Sequence, residues 1–200
     1  IPVCNTWLNL IKILKYLKSK KELFNFEVII IDDKSSVVPK KIVEKIKSIK
    51  NFKIVFLSRN YGPGYARNIG IKKAKGKYIW FVDSDDKLDK NWYLTFYKFL
   101  KLKKFSDIVV FKTNIHKNES ISKQDYFNKI TNFKETPLEK AFKKNLNYLN
   151  NYNSIIWCYW FKANIIKKNK IYFNDIYHLE DNIFISKFFF HARNITKIPK

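Results

Sequence analysis

Five short runs of β-branched and aromatic residues recur along the first half of the chain, and stretches with helical spacing separate them. The opening Ile1-Pro2-Val3-Cys4-Asn5 looks like the end of one strand. Phe26-Glu27-Val28-Ile29-Ile30-Ile31, Lys53-Ile54-Val55-Phe56-Leu57, Tyr78-Ile79-Trp80-Phe81-Val82 and Asp107-Ile108-Val109-Val110-Phe111 read as four more. Between them, residues 6–21 space Trp7, Leu10, Ile11, Leu14 and Leu17 as a helical stripe, and residues 38–50 do the same with Val38, Ile42, Ile46 and Ile49. Further helices are expected over 64–75, starting near Gly64, and from about 91 to 103. Strands alternating with helices of about 10–15 residues point to a mostly parallel sheet covered on both faces, with right-handed crossovers.

The pattern changes after residue 112. Residues 113–135 are polar and without clear period, and a helix is expected over 137–149. Ile155-Ile156-Trp157-Cys158-Tyr159-Trp160-Phe161 is a second dense aromatic segment, and Asp181 to His191 reads as a helix with Ile183, Phe184, Lys187 and Phe188 near one stripe. The expectation is one domain of 200 residues, with a nucleotide-binding half over 1–112 and a substrate-facing half over 113–200.

Charge is lopsided, 40 Lys and Arg against 17 Asp and Glu. Few of the cations are arginine, the preferred group for bidentate phosphate and base contacts, which disfavours nucleic acid as the partner. A solvated surface and peripheral attachment to an anionic membrane both stay open. Cys4 and Cys158 cannot form a disulfide scaffold and make no Cys-x-x-Cys, so a reducing, cytoplasmic location is expected. No run of about 18 apolar residues reads as a membrane span, and no signal peptide is visible.

The chemistry-bearing residues sit where strands end. Asp83-Ser84-Asp85-Asp86 follows the run 78–82 directly, and Asp32-Asp33 follows Ile29-Ile30-Ile31. Ligands of open α/β sheets bind at the carboxyl ends of strands. Alternate carboxylates there suit a hard divalent cation, Mg²⁺ or Mn²⁺, carrying a nucleotide diphosphate. The plainer reading of the same acids is a solvated turn or a helix cap. At the second tip one Asp can cap while its neighbour accepts from a ribose or a base edge.

Asn60-Tyr61-Gly62-Pro63-Gly64 joins a strand to a helix whose first turns carry Ala66-Arg67-Asn68. Arg67 is placed to meet a phosphate and Asn68 to support the loop. No Gly-Lys-Ser/Thr closes the loop, and it lacks Gly-x-Gly-x-x-Gly, so ATPase and dehydrogenase readings lose ground. Glu180-Asp181 precedes an apolar helical face; first-turn acid enrichment explains it as well as a general base does. Asp181 is the choice for base, with Glu180 orienting it or binding substrate; His178 is an alternative base or phosphate contact. His116 and His191 have no motif around them and read as structural, and scattered histidines and cysteines give no zinc site.

With these blocks in order, the chain resembles the inverting glycosyltransferases of family 2, of GT-A fold. The resemblance runs through Ile29 to Ser35, then Asn60-Tyr61-Gly62-Pro63-Gly64-Tyr65-Ala66-Arg67-Asn68-Ile69-Gly70, and on from Ala74 to Asp86. Trp157 to Lys162 and Glu180 to Phe184 resemble the back half of bacterial capsule and lipopolysaccharide sugar transferases. It implies a Rossmann-like three-layer α/β/α domain, clipped at both ends. It implies transfer of a sugar from a UDP-sugar to a glycan or lipid-linked acceptor hydroxyl, on the cytoplasmic face of the inner membrane.

Carried over residue by residue, Pro2 lines the nucleoside pocket, Asp33 meets uracil, and Arg67 lies near the base and phosphates. Asp83 approaches the ribose or assists the metal, Asp85 coordinates Mn²⁺ or Mg²⁺, and Asp181 is the base. Asp32, Asp86, His178 and Glu180 are secondary substrate contacts. The sequence departs from the family pattern at Lys34, where Gly is usual, and at Cys4, where an aromatic is usual. The rival readings are a metal-dependent nucleotidyltransferase and a non-catalytic basic binding module.

Overall fold

A computed structural model describes residues 1–20, 23, 25–88, 91–102, 105–111, 156–176 and 180–198. The irregular segment expected over 113–135, the helix over 137–149, His116 and His178 lie outside the described residues.

Strands β1 (Pro2–Val3), β2 (Val28–Asp32) and β3 (Phe52–Phe56) form a parallel sheet in that order. Pro2 pairs with Ile31, and Val28 with Phe52. Helix α1 (Trp7–Ser19) buries Trp7, Leu10, Leu14 and Leu17 of the expected stripe, with Ile13 buried in place of Ile11, which is only partly covered. With α2 (Lys40–Lys47), which buries Val43 and Ile46, it encloses a core against Val28, Ile30 and Phe52. Helix α3 (Pro63–Lys73) packs on β1 and β2 and places Gly70 against Ile31.

Strands β4 (Tyr78–Trp80), β5 (Ile108–Phe111), β6 (Tyr159–Lys162) and β7 (Ile195–Ile198) form a second sheet of order β4-β6-β5-β7. Strand β6 runs antiparallel to both of its neighbours, β4 and β5, while β7 is parallel to β5. The mostly parallel, helix-covered architecture expected from the alternation is therefore present. Helix α4 (Trp92–Lys101) follows β4, α5 (Ala163–Lys168) follows β6, and α6 (Glu180–His191) precedes β7. The core here is aromatic: Phe81 meets Phe161, Phe173 and Phe184 at centroid distances of 5.9, 5.2 and 5.3 Å, and Phe173 stacks on Phe184 at 4.2 Å.

Three elements differ from the sequence expectation. The β4 ladder ends at Trp80, opposite Trp160, although Phe81 and Val82 continue inward as buried residues. Helix α5 and strand β7 have no counterpart in the expectation. Each is short, and β7 exists by pairing with β5 across a long sequence separation, which local periodicity does not report.

Candidate active site

Adjacent residues on a strand point to opposite sides, and this splits the first acid pair. Asp32 turns toward α1 and is 2% exposed. Its Oδ2 accepts the Trp7 indole N–H at 2.7 Å, and its Oδ1 accepts the Ser35 backbone N–H at 2.9 Å. Both oxygens are thus engaged within the protein, and Asp32 is not among the residues lining the cleft. Asp33 turns the other way. Its oxygens accept the backbone N–H groups of Tyr61 at 2.8 Å and Gly62 at 2.7 Å, and it lines an open cleft. Gly62 has φ of 88°, a left-handed conformation that glycine adopts without a Cβ penalty, and it leads into α3.

The cleft has a volume of about 870 Å³. Pro2, Asp33, Arg67, Asp83, Asp85 and Glu180 all line it, bringing six of the expected site residues to one cavity. Asp85 is exposed there. Ser84 points inward and shares a 2.6 Å hydrogen bond with Thr6, which fixes the β4 tip to the start of α1. Among the described residues no group of three or more His, Cys, Asp or Glu side chains has metal-binding geometry. Mg²⁺ does not need one, because it is commonly held by one or two carboxylates together with substrate phosphates. Asp85, with Asp83 two residues before it, fits that mode.

Arg67 is the centre of the site. Its side chain is 5% exposed and bonds three carboxylates: Nη2 donates to Asp83 Oδ1 at 2.8 Å, and Nη1 to Asp181 Oδ1 at 3.1 Å and Glu180 Oε1 at 3.4 Å. One cation therefore joins α3, the β4 tip and the first turn of α6. Its terminal nitrogens have carboxylate partners, and the residue also lines the cleft in which contact with the base and phosphates is expected of it. Asn68 completes the tie: its side chain donates to the Phe173 carbonyl at 2.9 Å and accepts the Phe173 N–H at 2.8 Å. Gly64 admits the approach of that strap, for a Cβ there would sit 3.3 Å from Phe173 Cβ and 3.4 Å from the Asn174 carbonyl oxygen.

Three carboxylates around one guanidinium leave excess negative charge. Burial works against the Arg67 charge, but Asp83, Asp181 and Glu180 outweigh it and hold its pKa above the ordinary value. Burial pushes the Asp181 pKa up to about 7; Arg67 opposes the rise, while Asp83 and Glu180 add to it. Burial likewise raises Asp86 to about 6, with Asp83 and Asp85 contributing. Asp86 also accepts the Asp83 backbone N–H at 3.4 Å, closing the turn at the tip.

Sequence reasoning missed two features. Trp7 reads as an apolar stripe residue, yet it also donates to Asp32. Tyr61 and Tyr65 stack at 4.4 Å on the cleft wall, and the Arg59 guanidinium lies 4.6 Å from the Tyr61 ring centre. The four-residue spacing of these tyrosines at a helix start is the signal that could have found them.

The two sheets, their flanking helices and a cleft at the strand tips define a GT-A-like α/β domain. The glycosyl transferase family 2 pattern matches residues 1–173, and the chain belongs to that family. Glu180 and Asp181 lie beyond the matched residues. The chain is 29% identical to the Staphylococcus aureus poly(ribitol-phosphate) beta-N-acetylglucosaminyltransferase TarS over 86% of its own length and 28% of the relative's. It is 32% identical to the Bacillus spizizenii poly(ribitol-phosphate) beta-glucosyltransferase, over 86% of this chain and 26% of that one. The crystal structure of S. aureus TarS 1–349 in complex with UDP-GlcNAc superposes with a TM-score of 0.77 at 26% identity, covering 100% of this chain and 55% of that one. The chain thus spans about a quarter of these curated relatives and about half of that solved structure.

Proposed function

We propose that this chain transfers a hexose or N-acetylhexosamine from a UDP-sugar to a hydroxyl of a cell-surface polymer, inverting the anomeric centre. The observation that carries this reading is Asp181, a partly buried carboxylate that does not itself line the cleft but bonds the cleft-lining Arg67 at 3.1 Å, next to the cleft-lining Glu180, with its pKa raised to about 7. A general base works best with a pKa near the operating pH. In its ionised form Asp181 takes the proton from the acceptor oxygen as that oxygen attacks the sugar. Glu180 shares the same guanidinium and keeps the first turn of α6 oriented. Asp33 and Pro2 face the nucleoside, and Asp83 and Asp85 face the diphosphate. Residues 1–112 supply the donor groups and the remainder supplies the base.

Asp85, with Asp83, would hold Mn²⁺ or Mg²⁺. Such a cation neutralises charge developing on the departing UDP. The relatives named above use N-acetylglucosaminyl or glucosyl groups and poly(ribitol-phosphate), which supports an anionic polyol-phosphate or similar glycan as acceptor here.

The test is calorimetric binding of UDP, GDP, CMP and ATP with and without Mn²⁺, followed by transfer from UDP-GlcNAc and UDP-glucose to poly(ribitol-phosphate). UDP-selective binding with transfer of either sugar is the expected result. Selective binding of a nucleoside triphosphate would overturn the reading in favour of nucleotidyl transfer.

A further inference from the structure

Helix α4 is apolar on both sides. Trp92, Phe96 and Phe99 face the protein, where Phe99 packs with Val109 and Trp160. The other side carries Leu94, Tyr97 and Leu100, and Leu102 and Phe105 continue it beyond the helix. These five side chains are 41–52% exposed. A helix that is apolar all round is normally covered, and a contiguous exposed apolar patch marks an interaction surface.

The residues among this patch identify what covers it. Helix α4 contains no Asp or Glu, and Lys98 and Lys101 lie between its exposed apolar positions. Lys101 Nζ lies 4.7 Å from the Tyr97 ring centre, Lys77 Nζ 3.3 Å from that of Phe105, and Lys20 Nζ 4.3 Å from that of Tyr93. Leucine and aromatic side chains fringed by lysine suit a helix lying in a membrane interface, with its apolar side at the acyl boundary and its cations among anionic headgroups. Tyrosine is enriched at that depth because one end of the ring is apolar and the other wet. A formal net charge of +23 draws the whole domain toward such a surface.

We propose that the exposed side of α4, with Leu102 and Phe105, is a docking surface for an anionic lipid bilayer. This inference does not depend on the transferase reading.

Sedimentation of the chain with vesicles of phosphatidylcholine containing phosphatidylglycerol, against vesicles of phosphatidylcholine alone, tests it. Binding to the anionic vesicles is expected. The charge-neutral variant Leu94→Ser/Tyr97→Ser/Leu100→Ser should weaken it at least about tenfold. Lys98→Glu/Lys101→Glu should weaken it more than Lys45→Glu/Lys47→Glu, which makes the same charge change on α2. The substituted side chains are exposed, so far-ultraviolet circular dichroism should match the parent chain. Absence of vesicle binding, as a protein partner for this surface would give, overturns the proposal. So does wild-type binding by the triple serine variant, or an equal loss from the α2 pair, which would mean diffuse charge alone.

Discussion

Replacing Arg67 by methionine removes the cation shared by Asp83, Glu180 and Asp181 while keeping an unbranched side chain of similar reach. The guanidinium is 5% exposed and the three carboxylates are at most 24% exposed, so solvent screens little of the interaction. Breaking a buried ion pair from one side costs about 3–5 kcal/mol, and here one deletion strands several charges. The carboxylates have an escape that limits the loss: they can take up protons. The Asp181 pKa already stands at about 7 with Arg67 opposing the rise, so without Arg67 it climbs further.

The sign follows from linkage. A carboxylate whose folded pKa exceeds its unfolded value favours folding below the unfolded pKa, and that contribution is lost as pH rises through the folded pKa. R67M should therefore be destabilised by about 3–5 kcal/mol near pH 8. Each pH unit below a raised pKa recovers about 1.4 kcal/mol per protonated group; between pH 8 and pH 6 the parent's own Asp181 recovers about one such unit and the variant's about two, so the deficit should shrink by about 1.4 kcal/mol. Urea unfolding of both proteins at the two pH values measures this. A variant within about 1 kcal/mol of the parent at both, or one whose deficit does not change with pH, would refute the account of Arg67 as the cation balancing this cluster.

Asp181→Asn should bind UDP as the parent does and lose transfer by about 10²–10⁴-fold; the parent's activity should rise with pH through about 7, and full transfer by the variant would sink the base assignment. Asp85→Ala should abolish the Mn²⁺-dependent part of UDP binding in calorimetry, and unchanged Mn²⁺ dependence would remove Asp85 as the ligand. Trp7→Phe leaves Asp32 Oδ2 without its donor and should cost about 1–3 kcal/mol in denaturant unfolding. Lys34 has φ of 61°, so Lys34→Gly relieves about 1–2 kcal/mol of left-handed strain against about 0.5–1 kcal/mol of added chain entropy and should raise the melting temperature slightly.

Much of this architecture was legible because burial follows local period. The stripe Trp7, Leu10, Leu14 and Leu17 faces inward, and the run ending at Val82 delivers Asp83, Ser84 and Asp85 to the cleft. The grouping of acids at strand tips was legible for the same reason, since a strand that ends in carboxylates must end at the edge of the core. The division of labour was not. Asp32 and Asp33 are chemically identical neighbours, and only the pleat, by sending one to Trp7 and the other to the loop at Tyr61 and Gly62, separates a structural acid from one lining the cleft. Arg67 meets its partners at Glu180 and Asp181 across more than a hundred residues, a distance over which no periodicity carries information. The two readings of Glu180-Asp181, first-turn acids of a helix or parts of a catalytic site, are geometrically compatible. Both sit in the first turn of α6, where the helix dipole favours negative charge, and both bond Arg67. Helix dipole and guanidinium together still leave Asp181 with a pKa of about 7. An arrangement selected for stability alone would have matched its charges. Holding a carboxylate half-ionised near neutral pH costs folding energy, and the base role proposed for Asp181 requires a group in that state.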